Sequence, residues 1–165
     1  MSDKITFMDY LTYPKEKEII KFNGPEPFRL YNEIKKIMLD AFELAGKDIF
    51  EKKLKWDATG EDKSFYVKWE IEEKKMDPWS KLTLSITFQG SQNSRTRMGD
   101  CSISMKPKFI TTVKSGFLQR YFWWMYYQMY YKKRRIIEFY RAKTMFNKFK
   151  LMVAQVYGIE AEESI

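Results

Sequence analysis

The sequence contains no histidine and a single cysteine, Cys101. The missing histidine removes imidazole general bases, the Ser-His-Asp and Cys-His nucleophile systems, and every His-ligated metal site. One cysteine cannot form an intrachain disulfide, which fits a reducing cytoplasm. No run of about 20 apolar residues is present, so an ordinary membrane span is not expected. The first residues, MSDKITFMDYLTYPKEKE, lack the apolar stretch of a secretory signal. A phosphate loop of the form GxxxxGK followed by Ser or Thr is absent as well. Little of the usual catalytic equipment is left. The expectation is a non-catalytic, cytoplasmic binding protein with no cofactor and no metal ligands.

What is present is unevenly placed. From Phe117 to Lys150 there are nine Lys/Arg and one acidic residue, Glu138, giving 9 − 1 = +8; the rest of the chain has 21 of each sign, so the whole net charge of +8 sits in this stretch. Its first half reads FLQRYFWWMYYQMYY (117–131) and is followed by Lys132, Lys133, Arg134 and Arg135. A sign asymmetry of this kind suggests an anionic partner. From Tyr121 to Tyr131 only Gln128 is neither aromatic nor Met. A helix there is apolar on all sides, more than one core absorbs. Trp and Tyr favour wet boundaries, at protein interfaces or among lipid headgroups. The alternative is that the aromatics are core and the basic residues a solvated face. Candidate partner-contact residues are Trp123, Trp124, Tyr127, Tyr130, Tyr131, Lys132, Lys133, Arg134 and Arg135.

The remainder reads as a single α+β domain over residues 1–165. It has a strand-helix-meander body (15–116), an aromatic and basic helical region (117–158) and an acidic tail (159–165). Residues 5–8 form a short strand or a loose arm. Lys15 to Phe22 reads as a strand that ends at the turn Asn23-Gly24. Pro25-Glu26-Pro27 opens a helix, with Phe28, Tyr31, Ile34, Ile37, Met38, Ala41, Phe42 and Ala45 on one stripe and Gly46 as its stop. Period-two patterns follow at Ile49–Trp56, Ser64–Lys75, Trp79–Gln89 and from Cys101 through Val113. On the first of these, Phe50, Leu54 and Trp56 share a face. The polar stretch 90–99 is expected to be a loop. Pro107 marks a bulge, a bend or an edge. Five or six strands in an antiparallel meander, apolar on one face, need helices to cover them. Phe139, Ala142, Phe146, Phe149, Val153 and Val156 supply a stripe for that purpose, and Gly158 ends their helix.

The turn Phe22-Asn23-Gly24-Pro25-Glu26-Pro27 follows a strand and opens a helix, ahead of a meander and a long last helix. This order resembles the helix-grip superfamily of START-like lipid carriers, polyketide-cyclase-like proteins and plant ligand-binding allergens. The resemblance spans roughly residues 15–158 and is architectural, with no residue-specific motif. The sequence departs from that pattern in lacking a second short helix after the first and in its smaller strand number. The resemblance implies a curved sheet gripping the last helix around an apolar small molecule, with Trp56, Trp69, Phe88, Phe146 and Phe149 as candidate cavity residues; bulky side chains filling the space as plain core are the alternative.

Three binding readings follow. In the first, Phe117 to Arg135 contacts an anionic membrane surface. In the second, the basic residues meet RNA or ribosomal phosphates and the aromatics stack on bases. In the third, residues 117–131 form a homodimer or other protein interface. Carboxylates offer less. Asp57, Asp62, Asp77 and Asp100 fall at turns, where Asp is favoured. Glu70 and Glu72 read as a charge ladder beside Lys68. Cys101, on an apolar strand face, reads as core.

Overall fold

The computed structural model describes residues 3–160; within that range the side chains of residues 3, 115 and 117–119 are not described. The expected acidic tail therefore lies, beyond Glu160, outside the described residues.

Period-two alternation produces strands wherever it was read. β3 (Ile49–Asp57), β4 (Asp62–Lys75), β5 (Ser80–Asn93) and β6 (Met98–Ser115) follow one another as an antiparallel meander. Two N-terminal strands, β1 (Asp3–Tyr10) and β2 (Glu18–Pro25), both pair with β6. The result is a six-stranded antiparallel sheet. β6 is 18 residues long, so β1 lies along its second half and β2 along its first half, end to end.

Pro107 sits at the seam between them. Its carbonyl accepts the Leu11 N–H at 3.3 Å. In an antiparallel strand a residue's N–H and C=O point to the same neighbour. The N–H that proline lacks thus falls where neither short strand runs, and the ladder to β5 continues undisturbed through Leu84.

Residues 90–99 are mostly strand, not loop, because β5 runs to Asn93 and β6 resumes at Met98. Asn93 Oδ1 accepts the backbone N–H of Arg95 and of Thr96, both at 3.0 Å, which closes the hairpin. Gly90 and Gly99 are what allow the strands to approach. A Cβ at Gly90 would lie 2.1 Å from the Asp100 carbonyl oxygen, and one at Gly99 would lie 1.9 Å from that of Ser91.

One sheet face is apolar and covered. Phe65, Val67, Trp69 and Ile71 of β4, Leu82, Leu84, Ile86 and Phe88 of β5, and Cys101, Ile103, Met105 and Phe109 of β6 are all buried. Helix α1 (Leu30–Phe42) buries Leu30, Ile34, Ile37, Met38, Ala41 and Phe42 in the same cluster. It is shorter than its apolar stripe. Glu43 turns left-handed at φ 51°, and the Leu44 N–H bonds back to the Leu39 carbonyl before Gly46 is reached.

β3 departs from expectation. It is an edge strand with a bulge between Glu51 and Lys53, and residues 51–57 are exposed. Phe50, Leu54 and Trp56 therefore do not join the buried face. The bulge and Lys52, Lys53 and Lys55 blunt an edge that would otherwise invite another strand.

From Phe117 to Val156 the chain is helical without interruption. α2 (Phe117–Tyr126) passes through a π turn (Tyr127–Tyr131) into α3 (Lys132–Val156). At 1.5 Å per residue this element is about 60 Å long. Its second half closes the main core with Ala142, Met145, Phe146, Phe149 and Val153. Gly158, at φ 65°, ends it. Among the described residues no helix is long and apolar enough to cross a membrane.

Candidate functional site

The first half of the long helix leaves the main core and builds a smaller one. Trp123, Tyr131 and Val113 are buried together, with Ile5, Trp79 and Tyr127 packed around them. The Trp79 ring stands edge-on to Trp123 and Tyr131, at 5.5 and 5.0 Å between centroids. Phe7 of β1 stacks on Tyr127 at 5.5 Å. Edge-on and stacked pairs of this kind add roughly 0.5–1.5 kcal/mol each beyond area burial.

Beneath these rings runs a buried polar chain. The Tyr131 hydroxyl lies 2.8 Å from Asp77 Oδ2 and 2.6 Å from Ser80 Oγ. Ser80 Oγ is 2.8 Å from Thr111 Oγ1, which accepts Arg135 Nε–H at 2.9 Å. Arg135 also pairs with Asp9 of β1. Asp77 Oδ1 accepts the Trp79 and Ser80 N–H groups, both at 2.7 Å, so one carboxylate holds both the β4–β5 turn and the helix. Burial, more than the neighbouring carboxylate, pushes the Tyr131 hydroxyl up to about 12. A neutral phenol buried this way is an anchor. Ser80 Oγ is engaged with the Thr111 and Tyr131 hydroxyls, and both Asp77 oxygens already accept hydrogen bonds.

The π turn makes this alignment possible. Four residues along an α-helix overshoot a full turn by roughly 40°. Trp123, Tyr127, Tyr131 and Arg135 would drift around the axis in a regular helix. The wider i→i+5 turn at Tyr127–Tyr131 underwinds that step and returns Tyr131 and Arg135 to the sheet side.

The opposite side of the helix faces outward and stays apolar. Tyr121 is 87% and Phe122 68% exposed, and Trp124, Met125, Tyr126, Met129, Tyr130, Ile136, Ile137 and Tyr140 are exposed with them. Isolated surface hydrophobes are normal; here ten large apolar side chains between residues 121 and 140 are exposed on one helix. Trp124 is stacked on Tyr127 at 5.9 Å, so the outer ring is braced by the inner one.

The nine cations of the stretch divide between the helix halves. In the second half Arg141 lies near Glu43 and Glu138, Lys148 pairs with Asp40, and the buried Lys150 pairs with Glu18 at 3.0 Å. Among the described residues Arg120, Lys132, Lys133, Arg134 and Lys143 take part in no ion pair. Arg135, Arg141, Lys148 and Lys150 are thus paired with carboxylates, while Lys132, Lys133 and Arg134 are left free beside the exposed aromatics.

The expected site residues separate accordingly. Trp124, Tyr130, Lys132, Lys133 and Arg134 are exposed; Tyr127 and Arg135 are half-buried; Trp123 and Tyr131 are buried and act as anchors. Of the candidate cavity residues, Trp69, Phe88, Phe146 and Phe149 lie in the continuous main core. Trp69 directs its indole N–H to Glu51 Oε2 at 3.2 Å, a satisfied core tryptophan. Trp56 is 44% exposed at the sheet edge. Cys101 is buried, and burial pushes its thiol up. Sequence reading placed Asp77 in a turn, correctly, but offered no signal that Tyr131, 54 residues away, would reach it.

Comparison with protein families, with curated proteins and with solved structures finds no match. Among the described residues no group of three or more His, Cys, Asp or Glu is placed to hold a metal ion.

Proposed function

We propose that this chain is a non-catalytic binding protein that docks on an anionic membrane surface through the outer face of its long helix, between residues 121 and 140. The observation that carries the reading is the exposed aromatic and Met face lying beside Lys132, Lys133 and Arg134, none of them neutralised within the described chain. Trp and Tyr rings suit the headgroup level, where one end is apolar and the other wet. Each of the three cations contributes about 1 kcal/mol near anionic lipid. An amphipathic helix that lies in the interface needs both contributions. Here the helix is pre-ordered by the Tyr131 anchor, so docking does not have to fold it.

A second copy of the chain fits less well, because isologous contact would bring Lys132, Lys133 and Arg134 near their own equivalents. RNA is disfavoured by the shape of the surface: the exposed rings lie around a convex helix, not on a sheet platform or in a groove that tracks a strand. An apolar ligand inside the body would have to displace the side chains of Trp69, Phe88, Phe146 and Phe149, which are fully buried.

The test is partition between solution and sedimenting vesicles. Phosphatidylglycerol-containing vesicles should capture the protein and phosphatidylcholine vesicles should not. Capture that ignores lipid charge, or no capture by either, rejects the reading. Salt-sensitive binding to RNA in its place would favour the nucleic-acid alternative, and a concentration-dependent dimer the protein interface.

A further inference from the structure

A cleft far from the aromatic face opens at the end of the sheet where the β5–β6 hairpin meets the start of α1. Its volume is about 390 Å³, and Phe28, Trp56, Arg29, Lys63, Gln92 and Arg97 line it, with Glu26 on the rim. That volume lies at the lower end of the roughly 300–1,000 Å³ typical of small-ligand sites.

The lining is chemically divided. Phe28 and Trp56 form one wall, edge-on at 4.7 Å, and Phe28 is backed by Tyr31 and Phe65 at 4.9 and 5.0 Å. A half-exposed indole braced by the partly buried Phe28 and the buried Phe65 is a surface on which a planar ring stacks. The lining also carries three positive side chains, Arg29, Lys63 and Arg97, against the one carboxylate of Glu26. Only Arg97 is neutralised, by Glu26 at 2.8 Å. Lys63 and Arg29 pair with no carboxylate among the described residues, and Arg29 Nε is buried without a hydrogen-bond partner. The Arg29 guanidinium is held over the rings of Phe22 and Tyr157, at 5.5 and 5.0 Å, so its position is fixed. Gln92 Oε1 accepts the Phe28 N–H at 3.4 Å, which leaves its amide NH₂ as a donor.

The rim is also strained. Among the described residues, Glu26 and Arg97 are two of the three non-glycine residues with positive φ, at 50° and 57°. They clasp each other through the ion pair and through the Glu26 N–H to the Arg97 carbonyl, at 2.8 Å. Left-handed backbone at ordinary residues gathers at ligand clamps.

We propose that this cleft binds a small planar aromatic molecule bearing a phosphate monoester, with the ring on Trp56 and the phosphate between Arg29 and Lys63. A phosphate monoester carries nearly two negative charges at neutral pH, matching the two unneutralised cations. A nucleoside monophosphate and an aryl phosphate share this chemistry.

Nitrogen-detected NMR of the whole protein separates the sources. Adenosine monophosphate and phenyl phosphate are titrated in turn, with adenosine and inorganic phosphate as controls. A saturable shift of the Trp56 indole N–H and the Arg29 Nε–H with either ring-bearing phosphate supports the site, and the tighter of the two names the source. Each control should bind at least about tenfold more weakly, as should the Lys63→Gln and Trp56→Ala variants toward the better ligand. Both substitutions are at positions outside the buried core, so the fold is retained. The proposal is overturned if neither ring-bearing phosphate shifts these signals at millimolar concentration, if inorganic phosphate binds equally well, or if Lys63→Gln changes nothing. No membrane is present, so the result is independent of the docking surface.

Discussion

The Tyr131 hydroxyl donates to Asp77 Oδ2 at 2.8 Å, joining the middle of the long helix to the turn between β4 and β5. Through Ser80, Thr111 and Arg135 the same contact reaches β5, β6 and β1. The apolar outer face is held at a fixed position because this inner face is tied down. Tyr131→Phe should lower global stability by about 1–3 kcal/mol, the cost of leaving a buried acceptor unmet. Asp77→Ala should cost more, since it also frees the Trp79 and Ser80 N–H groups. Chemical denaturation of each variant against wild type measures both.

Alkaline pH should weaken the same anchor. Burial raises the Tyr131 hydroxyl from 10.0 to about 12, so the unfolded chain ionises first. The contribution is whole below pH 10.0 and is lost as pH rises to about 12. Tyr157 is raised as well, by burial first, and adds loss in the same direction. Denaturation midpoints should be insensitive to this group near neutrality and fall above pH 10.0, with a shallower fall in Tyr131→Phe.

Much of this architecture is legible in the sequence. Strict alternation in β4, β5 and β6 identifies both the strands and their buried face, and the 3-4 spacing from Phe139 to Val156 identifies the covering helix. Three features are not legible, for physical reasons. β3 carries Phe50, Leu54 and Trp56, yet as an edge strand it leaves all three exposed. The hairpin at 90–99 looks like a loop because its strand residues are polar, and its register rests on the absent side chains of Gly90 and Gly99. The aromatic run gives no periodic signal because every position from Tyr121 to Tyr131 except Gln128 is aromatic or Met. Only the π turn and the polar chain under Tyr131 decide which rings turn inward.

The glycines of that hairpin should be intolerant. Gly90→Ala and Gly99→Ala each force a methyl group into opposing backbone, and a loss of at least about 2 kcal/mol is expected. Gly46→Ala meets nothing within 4 Å and should change stability by less than about 0.5 kcal/mol. Thermal melts of the three variants distinguish the positions.

Charge removal on the free side of the helix should act on binding and not on folding. Replacing Lys132, Lys133 and Arg134 by Gln together should weaken capture by anionic vesicles by roughly 2–3 kcal/mol and flatten its salt dependence. All three are exposed and unpaired, so the denaturation midpoint should not move by more than about 0.5 kcal/mol equivalent. Replacing Arg135 by Gln instead should cost stability, because it severs Thr111 and Asp9 from the helix.

The most direct measurement is quenching of tryptophan fluorescence by vesicles whose acyl chains carry bromine. Trp69 and Trp123 are buried, Trp79 is half-buried in the inner cluster and Trp56 lines the separate cleft, whereas Trp124 is exposed on the proposed contact face. Docking through the outer face of the helix should give strong quenching in anionic brominated vesicles, most of it lost in Trp124→Phe while the protein still sediments with the lipid. Quenching that persists undiminished in Trp124→Phe, or an absence of quenching in the wild type, would contradict the assignment of this face to the membrane.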